Sequence, residues 1–73
     1  MKLLGQDDGQ VEVRLSFEEL ILLNNALNEM CHGLQLTERD FLEILGAPRQ
    51  DANVLLKRVG HVLDRLGIVA LDK

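Results

Sequence analysis

The sequence is poor in aromatic residues and in basic charge. It contains two phenylalanines and neither tryptophan nor tyrosine. The stacking platforms used by single-strand nucleic-acid binders and by many small-ligand sites are therefore missing. Eight Lys and Arg residues face twelve Asp and Glu residues, which gives a net charge of −4 at pH 7. This is the wrong sign for a protein held on DNA by phosphate neutralisation, so we do not expect nucleic acid as the main partner.

Cysteine and long apolar runs are also scarce. The single cysteine, Cys31, has no internal disulfide partner, which argues against a disulfide-stapled secreted mini-protein. The first residues turn polar too soon for a signal peptide, and no apolar run approaches the length of a membrane span. We therefore expect a cytoplasmic protein with no membrane partner. At 73 residues the chain is predicted to form one domain over 1–73, with residues 1–9 flexible.

The composition is that of a folding chain, since 47% of the residues are hydrophobic and 27% are charged. From Gln10 to Leu15 apolar and polar residues alternate, which predicts a short, half-buried strand. The segment 68–71 is rich in β-branched residues and is predicted to pair with that strand.

Three helices are predicted between these two strands. Ser16 precedes Glu19 by three residues, as in a capping box, so helix one should begin at Phe17 and run through His32. Glycine supplies the left-handed residue that often ends a helix, and Gly33, Gly46 and Gly67 are expected to end the first, second and third helices. Thr37 should cap the second helix, and the third should begin after Pro48. Gly60 within the third helix suggests a close helix crossing.

These elements predict a mainly α fold: a compact three-helix domain with short N- and C-terminal β-strands, hence a small α+β domain. A core of this size is marginal without disulfides or metals, and association with another chain is a common remedy.

No residue pattern indicates catalysis. Cys31 and His32 are adjacent, so on a helix their side chains diverge by about 100° and do not share a metal in the usual way. A thiolate nucleophile at Cys31 would need a base such as His61 and a third orienting group, which the sequence does not identify. We expect no catalytic residue, no cofactor and no metal site, and therefore a protein that is not an enzyme.

The segment 36–59 has the outline of a helix-turn-helix, with a short helix, a glycine turn and a longer helix. It resembles winged-helix DNA-binding domains, and the matching positions are Phe41, Leu45, Gly46, Ala47, Ala52 and Leu55. The resemblance implies a wingless helix-turn-helix transcriptional regulator as an alternative function. It would place four residues on the DNA-facing side of the recognition helix: Arg49, Gln50, Asn53 and Lys57.

The segment 22–33 carries three asparagines in a predicted helix, where asparagine is a mediocre helix former. Asn24 falls on the predicted buried side, whereas Asn25 and Asn28 fall nearer Glu18 and Glu29. This segment and the later turn at Gly46 resemble small bacterial immunity proteins of polymorphic toxin systems. The resemblance implies a cytoplasmic inhibitor that binds a cognate toxin domain and covers its active site.

Our leading hypothesis is therefore a non-catalytic protein-binding module, most concretely an immunity-type toxin inhibitor. A structural homodimer is a further alternative. The candidate partner-binding residues lie on the exposed side of helix one: Glu18, Asn25, Asn28, Glu29 and His32.

Overall fold

A computed structural model describes residues 1–68 of the chain. In chain order the described elements are two strands, β1 (Lys2–Asp7) and β2 (Gln10–Arg14), and three helices, α1 (Phe17–Asn28), α2 (Glu38–Leu45) and α3 (Arg49–Arg65). A π-helical turn, Glu29–Gly33, continues α1. Within residues 1–68 the fold is thus mainly helical with a two-stranded antiparallel sheet, which confirms the predicted small α+β class. From residue 69 onward, the predicted C-terminal strand lies outside the described residues.

The partner of β2 in the described sheet is β1, which the sequence analysis did not predict. Residues 1–9 were expected to be flexible, yet Lys2–Asp7 pair antiparallel with Gln10–Arg14. The turn is Asp8-Gly9, where φ is 45° and 80°. A tight two-residue turn whose central residues both have positive φ matches the twist of paired strands, and Asp-Gly is a preferred sequence for it.

Capping residues begin α1 and α2 as predicted. Ser16 and Glu19 form the complete capping box at the start of α1, and the Thr37 hydroxyl accepts a hydrogen bond from the backbone N–H of Asp40. Gly46 ends α2 with φ of 75°, where its N–H donates to the carbonyl of Leu42. These ends are fixed by short-range hydrogen bonds, which is why they could be predicted locally.

The end of the first helical segment differs from the prediction. Gly33 is absent from the positive-φ glycines of the described chain, and the helix instead widens into the π-helical turn. The turn closes when the N–H of Leu34 donates to the carbonyl of Glu29 at 3.0 Å. A Cβ at position 33 would meet the carboxyl group of Glu29, which is the end of a flexible side chain and would have to move aside.

The core lies where the π-helical turn, α2 and α3 meet. Phe41 is fully buried among Cys31 and Ala52, with Met30, Leu36 and Leu56 packed around them. Farther along α3, Val59 and Leu63 are buried, and Asn24 of α1 is buried as predicted. Five apolar residues are buried in the described chain, two of them completely, whereas sixteen large apolar side chains are exposed. This small core leaves much apolar surface uncovered.

Candidate functional site

An apolar groove lies between α1 and the open end of the β-hairpin. It has a volume of about 270 Å³ and is lined by Met1, Leu15, Leu22, Leu23 and Ala26, with Glu19 at its edge. The strand register pairs Lys2 with Arg14, so Met1 and Leu15 lie next to each other just beyond the paired residues. Spacings of three and four residues place Leu22, Leu23 and Ala26 on one side of α1. Leu22 is 70% exposed, which makes it the most exposed apolar side chain of α1.

Glu19 binds the N-terminus of the chain at the edge of this groove. Its carboxylate accepts hydrogen bonds from the backbone N–H of Ser16 and from the N-terminal ammonium group of Met1. The ammonium hydrogen bond, followed by the Ser16 backbone bond, lowers the pKa of the Glu19 carboxyl below its ordinary value. The same carboxylate therefore completes the capping box of α1 and holds Met1 over the groove.

None of the five predicted partner-binding residues lines the groove, but three lie on the adjoining side of α1 and its π-helical turn. Glu18, Asn25 and Glu29 are separated by seven and four residues, which places them along one side of the helical segment. Leu22 follows Glu18 by four residues and precedes Asn25 by three, so the acidic side adjoins the groove. Glu18 is exposed, whereas Asn25 and Glu29 are half-buried.

Two local contacts restrain this side of the helical segment. The Asn25 side-chain oxygen accepts a hydrogen bond from the buried Asn24 amide at 3.5 Å. The carboxyl group of Glu29 lies over Gly33. Asn28, also half-buried, lies off this line, toward the flank of the helix. On this side of the helical segment, Glu18 and Leu22 are thus the exposed side chains.

His32, the fifth predicted residue, lies apart from the others. It lines a second, open groove of about 670 Å³ between the π-helical turn and α3. The side chains predicted for the helix-turn-helix alternative line the same groove: Arg49, Gln50, Asn53 and Lys57. The structure thus brings His32 together with the second candidate set and separates it from the first.

Arg49 does not face solvent as a recognition-helix residue would. Its guanidinium donates hydrogen bonds to the backbone carbonyls of Cys31 at 2.8 Å and Leu36 at 2.6 Å, and to the Glu38 carboxylate at 2.7 Å. It also lies 4.7 Å from the centroid of the Phe41 ring. The side chain is only 20% exposed. Its donors are committed to the fold, because they tie the π-helical turn and the start of α2 to α3, and this corrects its assignment to an exposed face.

Other chemistry-bearing groups are few in the described chain. Burial of Cys31 raises the pKa of its thiol, and the nearby charge of Arg49 only partly opposes this. A raised pKa disfavours the thiolate that a nucleophile or metal ligand requires. Among residues 1–68, no group of three or more His, Cys, Asp or Glu side chains is arranged to hold a metal ion.

The apolar groove on α1 was missed by the sequence analysis. Leu22 and Leu23 fall in the asparagine-rich segment 22–33, and nothing in their spacing distinguishes a covered side of the helix from an open one. The Asp8-Gly9 pair was the available signal, because it predicts a hairpin whose open end brings Met1 to Leu15.

No protein-family model matches the sequence, and comparisons with curated proteins and with solved structures find no match. No helix within the described residues is long and apolar enough to cross a membrane.

Proposed function

We propose that this chain is a non-catalytic protein-binding module and that it binds its partner through the α1 groove and the adjoining acidic side of the helix. The observation that carries the proposal is the exposure of Leu22 and Leu23, which are 70% and 42% exposed beside a groove lined almost entirely by apolar side chains. Protein interfaces combine such an apolar centre with a polar rim. Here Glu18 and Asn25 supply part of that rim.

The groove offers a partner enough apolar surface to matter. Covering a leucine side chain fully contributes roughly 1.5–3 kcal/mol relative to leaving it in water. Because Leu22 and Leu23 are exposed in this chain, much of that free energy would be gained only when a partner covers them. An inserted apolar side chain from the partner would contact Leu15 and Ala26 as well.

The acidic composition of the N-terminal part of the chain indicates the kind of partner. Residues 1–33 contain two basic and six acidic side chains, so this half of the chain carries the whole net charge of −4. A negative surface steers a basic partner and raises its association rate. The most concrete version of the proposal is therefore an immunity-type inhibitor that covers the basic cleft of a toxin domain.

The test is affinity capture of the tagged full-length chain and two matched variants. Leu22→Asp places a charge in the groove, whereas Ile44→Asp places the same charge at a 61% exposed site on α2. We expect the unchanged chain and Ile44→Asp to retain the same protein partner and Leu22→Asp to lose it, with all three showing the same helical circular-dichroism spectrum. Equal capture by all three chains would contradict this assignment of the surface.

The immunity version has its own measurement. Once the partner is purified, its association rate should fall with added salt and should fall further for Glu18→Lys, because charge steering is screened by salt. Co-expression with the partner should also restore growth if the partner is toxic. A partner that is not toxic would be consistent with the binding-module proposal and would contradict the immunity version of it.

A further inference from the structure

The paired strands of the β-hairpin have no helix packed against them in the described fold. Within residues 1–68, no Cα atom of either strand lies within 8 Å of a Cα atom of a helix. A two-stranded hairpin alone in water is marginally stable, and it usually needs further strands or a helix against its face. The hairpin therefore lacks the cover that its stability requires.

The two faces of the hairpin differ in character. The pairs Leu3–Val13 and Gln6–Val11 place apolar side chains on one face. Leu3 and Val11 are 61% and 63% exposed, and Val13 is 40% exposed. A face of this kind is suited to a larger sheet.

The opposite face separates charge along the strands. Lys2 lies directly opposite Arg14, and like charges in this arrangement are destabilising. Glu12 lies two residues along β2 from Arg14, on the same face, opposite Gly5. Lys2 and Arg14 at the open end therefore have no acidic residue directly opposite them in their own hairpin. Glu12 likewise has no basic residue directly opposite it.

The two edges of the hairpin also differ. A bulge at Leu4 interrupts the register of β1, whereas β2 is paired residue by residue from Gln10 to Arg14. Bulges disfavour the addition of a further strand. Along the described chain, the backbone of β2 makes no hydrogen bond beyond its ladder with β1. The regular outer edge of β2 is thus the one suited to strand addition.

Charge selects the register in which two copies of β2 can pair. In an antiparallel pair, directly opposite residues have their side chains on the same face of the sheet. When a two-fold axis relates the two strands, this requires that one residue of β2 lies on the axis, opposite the same residue of the second copy. Glu12 or Arg14 at that position would place like charges together. With Val13 there, Glu12 lies opposite Arg14 of the second copy, twice by symmetry, and Val11 lies opposite the other copy's Leu15.

We propose that β2 pairs antiparallel with β2 of a second copy of this chain about a two-fold axis at Val13. The result is a four-stranded sheet in the order β1, β2, β2 and β1, with Glu12 of each copy meeting the positive end of the other. The pairing uses the outer edge of β2 and shares only Leu15 with the α1 groove, so Leu22→Asp tests the proposed function without altering this strand edge.

The first test is a charge exchange followed by mass in solution. Arg14→Glu and Glu12→Arg each place like charges opposite each other in the dimer and should weaken self-association roughly tenfold, since two cross-strand pairs are reversed. The double variant, Glu12→Arg with Arg14→Glu, restores both pairs and should return the dimer. Arg14→Glu also relieves the repulsion from Lys2 within one chain, so unfolding does not explain its loss of association.

A matched control separates the strand edge from general apolar surface. Val13→Lys puts two positive charges on the axis, whereas Val54→Lys makes the same change at a 44% exposed position on α3. We expect sedimentation equilibrium to give twice 8.2 kDa for the unchanged chain, Val54→Lys and Leu22→Asp, and a single-chain mass for Val13→Lys.

Disulfide formation tests the register directly. Opposed Cα atoms lie roughly 4.5–5.5 Å apart, which permits a disulfide, so Val13→Cys should crosslink two copies under mild oxidation. Val11→Cys should not, because its own copy lies about 13 Å away along the strands. The native Cys31 remains in place, since it is only 5% exposed.

Three results would overturn the proposal. One is a single-chain mass at every concentration. The second is equal crosslinking of the Val11→Cys and Val13→Cys variants, and the third is failure of the charge-exchanged double variant to associate.

Discussion

Replacing Arg49 by alanine removes several interactions that join three segments of the fold. The guanidinium donates to the carbonyls of Cys31 and Leu36, pairs with Glu38 and lies against the ring of Phe41. Because Arg49 is only 20% exposed, part of the carbonyl surface it satisfies would be left without a donor in the variant. We therefore expect Arg49→Ala to destabilise the fold strongly.

The magnitude follows from the separate contributions. Each hydrogen bond from the charged guanidinium to a carbonyl contributes about 1.5 kcal/mol, and the contact with the Phe41 ring adds about 0.5–1 kcal/mol. The Glu38 side chain is 74% exposed, so its ion pair with Arg49 adds only a few tenths of a kcal/mol. The expected loss is about 4 kcal/mol, against a total stability of roughly 4–11 kcal/mol for a chain of this size.

Urea unfolding followed by circular dichroism measures this loss. Arg39→Ala is the matched control, because Arg39 is 87% exposed and pairs with Glu43 across one helical turn at 3.3 Å. That pair should contribute less than about 0.5 kcal/mol. A free energy of unfolding for Arg49→Ala within about 0.5 kcal/mol of that of Arg39→Ala would refute the structural role of Arg49.

Four further outcomes are expected. Gly60→Ala should stabilise the fold by up to about 1 kcal/mol in urea unfolding, because the added Cβ would lie 3.8 Å from the Asn24 side-chain oxygen, an ordinary contact; destabilisation would contradict this. The pKa of Glu19 is lowered in the folded state, so its ionised carboxylate stabilises the fold above the unfolded-state pKa, and this stability is lost as pH falls through the folded-state pKa. In an acid titration of stability, Glu19→Gln should lack this loss, whereas Glu18→Gln should retain it. Native Cys31 should react with a thiol reagent far more slowly than urea-unfolded chain, and equal rates would show that the thiol is accessible. Lys57→Ala should leave duplex DNA titrations and their salt dependence unchanged, whereas a helix-turn-helix regulator would lose affinity.

Local signals in the sequence were sufficient for the helix starts. The capping box at Ser16 and Glu19, the Thr37 cap and the left-handed Gly46 each depend on residues within four positions of one another. Such hydrogen bonds are nearly independent of the rest of the fold, so the pattern predicts them. The same reasoning applies to the buried position of Asn24, which follows from helical periodicity.

Features set by tertiary contact were not predictable in this way. Arg49 has the sequence context of an exposed recognition-helix residue, yet its donors are used by carbonyls 18 and 13 residues earlier in the chain. Gly33 was expected to end a helix with positive φ, but the Glu29 side chain occupies the space beside it. The interpretation of Gly60 as a close-crossing glycine also needed coordinates, because within 4 Å its added Cβ would meet only the Asn24 side-chain oxygen, at an ordinary contact distance.

The small core links the two binding proposals. Phe41 and Leu63 are the large side chains buried almost completely, and the helices gain further cohesion from the polar contacts of Arg49. Neither feature stabilises the hairpin, which has no helix packed against its strands in the described chain. A second copy at the β2 edge would supply the missing strands and leave Leu22 free for a different protein. The proposals therefore make separable demands: Val13→Lys should remove self-association, Leu22→Asp should remove partner capture, and each variant should retain the helical fold.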